Sequence, residues 1–358
     1  MADAGPLGGG CAVTWERLLV LTAAGAVLVL VVVGLVVSRS NVPLNASSAP
    51  RRQTAAAPKN TAASGRATGR AVVSDVLDDW TTSVTTLRGA KAGAVSVIDV
   101  RSTLAYRLGH VPGAVRISWL QYRDGWGRTG RLPDDQHHLA RRLAALGVDS
   151  ARPVVVYGNA RDGWGEEGRV AWMLHYLGHP QVTILDGGWS AWRRAGGAVS
   201  RTEPELHAGR FAAHPRPETR ADADDVRRAP AAGVAILDTR SAAEWNGSRK
   251  YWPKRTGRIP GAVHLEWRDL LTPEGFVDRS PALRERLRAL GLTPDRPVIA
   301  YCVGGVRSGE AFIVLKALGF RDVRNYDGSW YEWADDERRP IISAKENAAG
   351  GDGTGRRR

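Results

Sequence analysis

One loop concentrates the reactive side chains of this sequence. Cys302 is followed by Val303, Gly304, Gly305, Val306, Arg307 and Ser308. Before it runs the β-branched stretch VIAY (298–301); after it Ala311, Phe312, Leu315 and Leu318 recur at helical spacing up to Gly319. That order puts the cysteine first in a strand–loop–helix turn. A glycine-bearing loop there can turn several backbone N–H groups inward as a nest. The helix N-terminus adds partial positive charge, and Arg307 adds a full one. All three stabilise a thiolate, and such surroundings lower a cysteine pKa from about 8.5 into the range ~3.5–7.5. The same groups bind an anion, so the loop suits a nucleophile attacking an anionic substrate. A small cysteine that merely closed a strand would need neither the Gly304–Gly305 pair nor Arg307.

Other candidate chemistry is thinner. The only other cysteine is Cys11, and the eight histidines form no HExxH grouping. No metal site and no cofactor are therefore expected. Asp99 with Arg101 and Asp238 with Arg240 sit at matching strand ends. Their duplication argues for structural salt bridges, though Arg240, at a strand's carboxyl end, is also a candidate border of the Cys302 pocket. His137 and His138 fall on a helix and are expected in solvent. Glu244 opens a helix after the Asp238–Arg240 strand end, where an acid is favourable. The net charge of +13 is dispersed. Residues 1–70 carry 7 − 2 = +5, residues 345–358 carry 4 − 2 = +2, and the remainder keeps 13 − 5 − 2 = +6. With no long basic run or basic–aromatic stripe, this balance fits a membrane surface or a small anionic substrate, and no nucleic-acid partner is expected.

The elements that must position Cys302 are written twice. VSVIDVR (95–101) returns as VAILDTR (234–240), GHVPGAV (109–115) as GRIPGAV (257–263), and PVVVYG (153–158) as PVIAYC (297–302). YLGHPQVTILDGGWSAW (176–192) returns as ALGFRDVRNYDGSWYEW (317–333). The offsets are 238 − 99 = 139, 257 − 109 = 148, 302 − 158 = 144 and 327 − 186 = 141. Four ordered matches at nearly constant spacing mean two copies of one domain. Short β-branched runs alternate with helical stretches such as 137–147 and 282–291, each closed by glycine. The pattern predicts, in each copy, a small parallel α/β sheet with helices on both faces and chemistry beyond the carboxyl ends of the strands. The four tryptophans after the DGxW turns, Trp189, Trp192, Trp330 and Trp333, are expected in the cores.

The doubled domain, the ID/LD-x-R strand ends, the GxxPGA turns, the DGxW ends and the cysteine-first loop together resemble the tandem rhodanese family of thiosulfate/3-mercaptopyruvate sulfurtransferases, over roughly residues 73–341. The resemblance implies a silent first copy and a second copy bearing a persulfide-forming cysteine. Position 158 is Gly where Cys302 stands in the second copy, and Glu166 and Glu167 in the longer first loop would oppose an anion. It implies a double displacement: Cys302 takes the outer sulfur of thiosulfate, sulfite leaves, and cyanide or a thiol then removes that sulfur. Val303, Gly304, Gly305, Val306, Arg307 and Ser308 would bind the substrate, with Arg240 at the pocket's edge. Rhodanese-related phosphatases place five residues between cysteine and arginine. Here there are four, Val303 to Val306, which in the family favours sulfur. Val303 departs from the basic or polar residue common in thiosulfate enzymes, while Arg307–Ser308 resembles the bacterial thiosulfate type. Where the family often presents an arginine from a first-domain helix, this chain has His175. A 3-mercaptopyruvate sulfurtransferase or persulfide carrier is the alternative, and a binding or redox-sensing scaffold a more distant one.

Ahead of the repeats, residues 18–37 are twenty consecutive residues without a charge, long enough to cross the ~30 Å hydrocarbon layer as a helix. Asp3, Glu16 and Arg17 precede this run, which is also longer than the apolar core of a cleaved signal peptide. The expected organisation is a tail (1–17), a transmembrane helix (18–37), a flexible Ala/Ser/Thr/Pro/Arg linker (38–71), rhodanese domain 1 (72–200), an interdomain linker (201–218), rhodanese domain 2 (219–342) and a disordered tail (343–358). Arg39, Arg51, Arg52 and Lys59 follow the span, against Arg17 before it. The positive-inside rule places the catalytic part in the cytoplasm of a single-pass membrane protein.

Overall fold

The computed structural model describes residues 80–124, 130–249 and 255–343. The expected span at 18–37, its linker, Cys11 and the C-terminal tail from 344 lie outside these residues. Among the described residues, no helix is long and apolar enough to cross a membrane.

The first copy contains strands β1 (Thr81–Thr82), β2 (Ser96–Asp99), β3 (Val115–Arg116), β4 (Val154–Tyr157) and β5 (Val182–Leu185). Its helices are α1 (Val84–Gly89), α2 (Thr103–Leu108), α3 (Gln136–Ala145), α4 (Glu166–Tyr176) and α5 (Gly188–Arg194). The second copy repeats the series with β6 (Arg220–Ala221), β7 (Ala235–Asp238), β8 (Ala262–His264), β9 (Val298–Tyr301) and β10 (Val323–Tyr326). Its helices are α6 (Ala223–Arg228), α7 (Ala242–Trp245), α8 (Pro281–Ala289), α9 (Arg307–Ala317) and α10 (Ser329–Asp335). The strand orders are β1-β5-β4-β2-β3 and β6-β10-β9-β7-β8, and neighbouring strands pair in parallel throughout. The strands VVVY (β4) and VIAY (β9) are buried at every position, as near-continuous apolar runs require in a sheet covered on both faces.

The duplicated Asp–Arg strand ends are built alike. Arg101 pairs with Asp99 at 2.6 Å and Arg240 with Asp238 at 2.6 Å, all four side chains almost wholly buried. Tyr157 and Tyr301 hydroxyls donate to those carboxylates. Each guanidinium also donates to a glycine carbonyl, Gly109 or Gly257, and lies over a tryptophan of the DGxW turn, Trp189 or Trp330. A buried ion pair needs further hydrogen bonds to its remaining groups, and here the glycine carbonyls and tyrosine hydroxyls supply them. Trp192, Trp330 and Trp333 are buried; Trp189 is half-buried beneath Arg101.

The two copies share one continuous core. Helices α4 and α9 contribute Val170–Leu174 and Ala311–Leu315 to the same buried cluster. Their crossing depends on glycine. A Cβ on Gly168 would lie 2.3 Å from Glu310 Cα, and one on Gly309 would lie 2.9 Å from Arg169 Cα. The stretch joining the copies runs along the first one: Phe211 is buried, and the N–H groups of His214 and Arg216 donate to the carbonyls of Leu177 and Tyr176.

Candidate active site

Cys302 follows β9, beyond the carboxyl end of a central strand. Its N–H donates to Ser329 Oγ (3.1 Å), which donates in turn to the Tyr326 carbonyl (2.6 Å). The Cys302 and Val303 carbonyls accept from the N–H groups of Trp330 and Tyr331, in the first turn of α10. With these carbonyls drawn outward, the N–H groups of Gly304 and Ser308 are left to face the sulfur. Gly305 makes the turn at φ 78°, where a Cβ would sit 2.5 Å from the Asp327 carbonyl oxygen. That position tolerates little but glycine.

Ser308 Oγ lies 3.6 Å from Cys302 Sγ. Arg307 is buried and donates from both terminal nitrogens to Glu244, at 2.8 and 2.9 Å. Burial alone would raise the Glu244 carboxyl, but Arg307 and the Ser241 hydroxyl and N–H bring it down to about 2. Burial likewise pushes the Cys302 thiol up. The Arg307 charge, the Ser308 N–H and hydroxyl and the Gly304 N–H outweigh it, so the thiol is held below its ordinary value. The arrangement can hold a thiolate at neutral pH beside donors suited to an anion.

A cavity of about 410 Å³ opens in front of the sulfur. Val303, Gly304, Val306 and Arg307 line it with Cys302; Gly305 and Ser308 support it from behind. Arg240 departs from expectation. It does not line the cavity, because its guanidinium is committed to Asp238, Gly257 and the Trp330 face. The opposite wall comes from the first copy: beside Glu166 it holds Trp119, Leu120, Arg123 and Trp164, which sequence reasoning did not single out.

His175 is also not at this site. It packs between Trp80 and Phe312, and burial with Arg216 nearby pushes it down to about 3. Arg169, on the same helix, interacts electrostatically with Cys302 but does not line the cavity either. This fully buried side chain donates to the Gly130 carbonyl, and its charged form is favoured by a thiolate at Cys302 even as burial lowers it to about 10. The repeat held a signal for this: 310 − 169 = 141, the offset of the DGxW turns. Arg169 and Glu310 are equivalent positions on two crossing helices, and each faces the other copy's loop.

The first copy's own nest is filled from within. A Cβ on Gly158 would lie 2.5 Å from Glu167 Oε2, and Glu167 Oε1 accepts from Ala160 N–H at 2.7 Å. The carboxyl group thus takes the space that a cysteine side chain and its substrate would need.

A duplicated parallel α/β domain with one nucleophilic cysteine in an anion-holding loop defines a class of group-transfer proteins in which one copy carries the nucleophile. The rhodanese-like domain family matches residues 84–195 and 222–336, and this chain belongs to it. It is 32% identical to the sulfur carrier protein TtuD of Thermus thermophilus over 266 residues, covering 70% of this chain and 92% of that protein. It is 32% identical to a thiosulfate sulfurtransferase of Azotobacter vinelandii, covering 68% of this chain and 90% of the relative. A thiosulfate sulfurtransferase of Corynebacterium glutamicum is 33% identical, with 67% and 81% covered. Among solved structures, YnjE aligns with TM-score 0.63 at 26% identity, over 70% of this chain and 63% of its own. EanB in complex with hercynine shares the fold at TM-score 0.64 and 24% identity, this chain spanning 65% of its length.

Proposed function

We propose that this chain is a thiosulfate sulfurtransferase working through a persulfide on Cys302. The Cys302 thiolate attacks the outer sulfur of thiosulfate, the S–S bond breaks, and sulfite leaves with its electron pair. The Gly304 and Ser308 donors and Arg307 hold the persulfide and the departing anion. A thiophilic acceptor, cyanide or a thiol, then attacks the outer sulfur and returns Cys302 to the thiolate. The observation that carries this reading is a buried thiol held below its ordinary pKa by Arg307, Ser308 and Gly304 at the base of an open cavity. Relatives named thiosulfate sulfurtransferase support the choice of donor. Thiosulfate should add the mass of one sulfur atom to residues 72–358, and cyanide should remove it as thiocyanate. Turnover retained by Cys302→Ser would overturn the assignment.

A second reading, a persulfide carrier, is favoured by the likeness to a sulfur carrier protein; a 3-mercaptopyruvate kcat/KM above that for thiosulfate would favour the remaining alternative. The chain is further proposed to be anchored by residues 18–37 with its catalytic part in the cytoplasm. The uncharged run and the basic residues after it support that placement. Carbonate extraction should leave the full chain in the membrane fraction, and its release would overturn the anchor.

A further inference from the structure

The two copies of the loop differ in length, and the difference reaches the cavity. The repeat offset is 302 − 158 = 144 before the loop and 310 − 169 = 141 after it, so the first copy holds 144 − 141 = 3 extra residues there. This longer loop brings Trp164 to the wall facing Cys302. Its indole lies 5.8 Å from the Arg307 guanidinium carbon and 5.9 Å from that of Arg268, yet it remains 52% exposed. Leu120, on the same wall, is 51% exposed. Large apolar groups left half in water gain their burial only when something fills the cavity.

Thiosulfate and cyanide cannot do so, since each has few atoms and no apolar face. The cavity, about 410 Å³, lies within the ~300–1,000 Å³ range of pockets that take small organic ligands. Its wall also carries two charges of opposite sign. Arg123 lies over the Trp119 ring at 6.0 Å and pairs with no carboxylate among the described residues. Glu166 accepts from the Trp164 N–H at 2.8 Å and pairs with no cation among them.

We infer that Trp164, with Arg123 and Glu166, selects the sulfur acceptor, and that this acceptor is an organic thiol of amino-acid or short-peptide type. Its carboxylate meets Arg123, its ammonium or amide meets Glu166, and its carbon chain covers the Trp164 and Trp119 faces. The inference rests on the sulfur-transfer reading. In the transfer, the acceptor thiolate attacks the outer sulfur of the Cys302 persulfide and the bond to Cys302 Sγ breaks. Its electron pair stays on Cys302 as thiolate, and the acceptor leaves as its own persulfide. No oxidant or reductant is consumed.

The test uses protein loaded with thiosulfate, freed of excess donor, and mixed with glutathione, 2-mercaptoethanol or cyanide. At equal thiolate concentration, kcat/KM for glutathione should exceed that for 2-mercaptoethanol by roughly tenfold. Trp164→Ala and Arg123→Gln should each lower the glutathione-to-cyanide ratio of kcat/KM by about five- to tenfold. Trp164→Leu, which keeps apolar bulk, should lower it less and covers the case in which the alanine variant fails to fold. Equal losses toward glutathione and cyanide would overturn the inference, as would equal rates for the two thiols or transfer to a protein cysteine only. Absence of a mass gain with thiosulfate, before any acceptor is added, would overturn the sulfur-transfer reading itself.

Discussion

The charge beside Cys302 is held by two side chains. Arg307 lowers the thiol, while Glu244 anchors Arg307 through two hydrogen bonds. Removing Arg307 alone would strand a buried carboxylate, so the informative change is the double substitution Arg307→Gln with Glu244→Gln, which keeps hydrogen-bonding groups and deletes both charges. Without the Arg307 charge, burial raises the Cys302 pKa and the thiolate fraction at neutral pH falls. Sulfur loading at pH 7 should drop on the order of tenfold, and the acid limb of the pH–rate profile should move to higher pH. An unmoved limb would show that the backbone donors alone hold the thiolate. The loop was legible in the sequence because its parts are contiguous. The Arg307–Glu244 pair was not, since its members are 63 residues apart and Glu244 also suits a helix start on local grounds alone. Arg240 misled for the opposite reason: its strand-end position is right, but Asp238 and Gly257 hold its Nε and Nη2 donors.

Between elements, the crossing of α4 and α9 buries two acids in a space with too few donors. Glu167 and Glu310 are both almost wholly buried, and each leaves one carboxylate oxygen without a partner. Burial, with Glu166 and Asp186 adding repulsion, pushes Glu310 up to about 8; burial and Glu310 push Glu167 well above the usual carboxylate range. Folded-state values above the unfolded ones mean that the native state holds the extra protons. That contribution is fully present below the unfolded carboxyl pKa and is lost as pH rises through about 8. Stability should therefore fall between about pH 5 and pH 8. Glu310→Gln should flatten this fall and be the more stable protein at pH 8, by about 1–3 kcal/mol. Urea unfolding at the two pH values measures it, and a slope unchanged by the substitution would sink the argument. Helix α9 itself was legible from its periodicity and terminal glycine. Their crossing was not, because Gly168 and Gly309 read locally as poor helix formers and acquire their purpose only when another backbone approaches.

Over the whole molecule, the repeat made the domain architecture and the silent first copy legible, but not which first-copy residues wall the site. The wall opposite Cys302 comes from residues whose local sequence carries no catalytic signal. Trp119, Arg123 and Trp164 reach the site only through the packing of one copy on the other. The catalytic copy should consequently fail alone. In residues 219–343, α9 would lose its partner helix and expose Phe312 and neighbours that are now fully buried. Each large apolar side chain returned to water costs roughly 1.5–3 kcal/mol, and several together approach the stability of a small domain. Asp327 would also lose the Leu132 N–H that donates to it at 2.8 Å, directly behind Gly305. The isolated second copy should thus aggregate or unfold, and any soluble fraction should transfer sulfur at least tenfold more slowly than residues 72–358. Size-exclusion chromatography and thiocyanate formation check both parts. A soluble, monomeric second copy as active as the two-copy fragment would mean that the first copy is a separate module rather than half of the site.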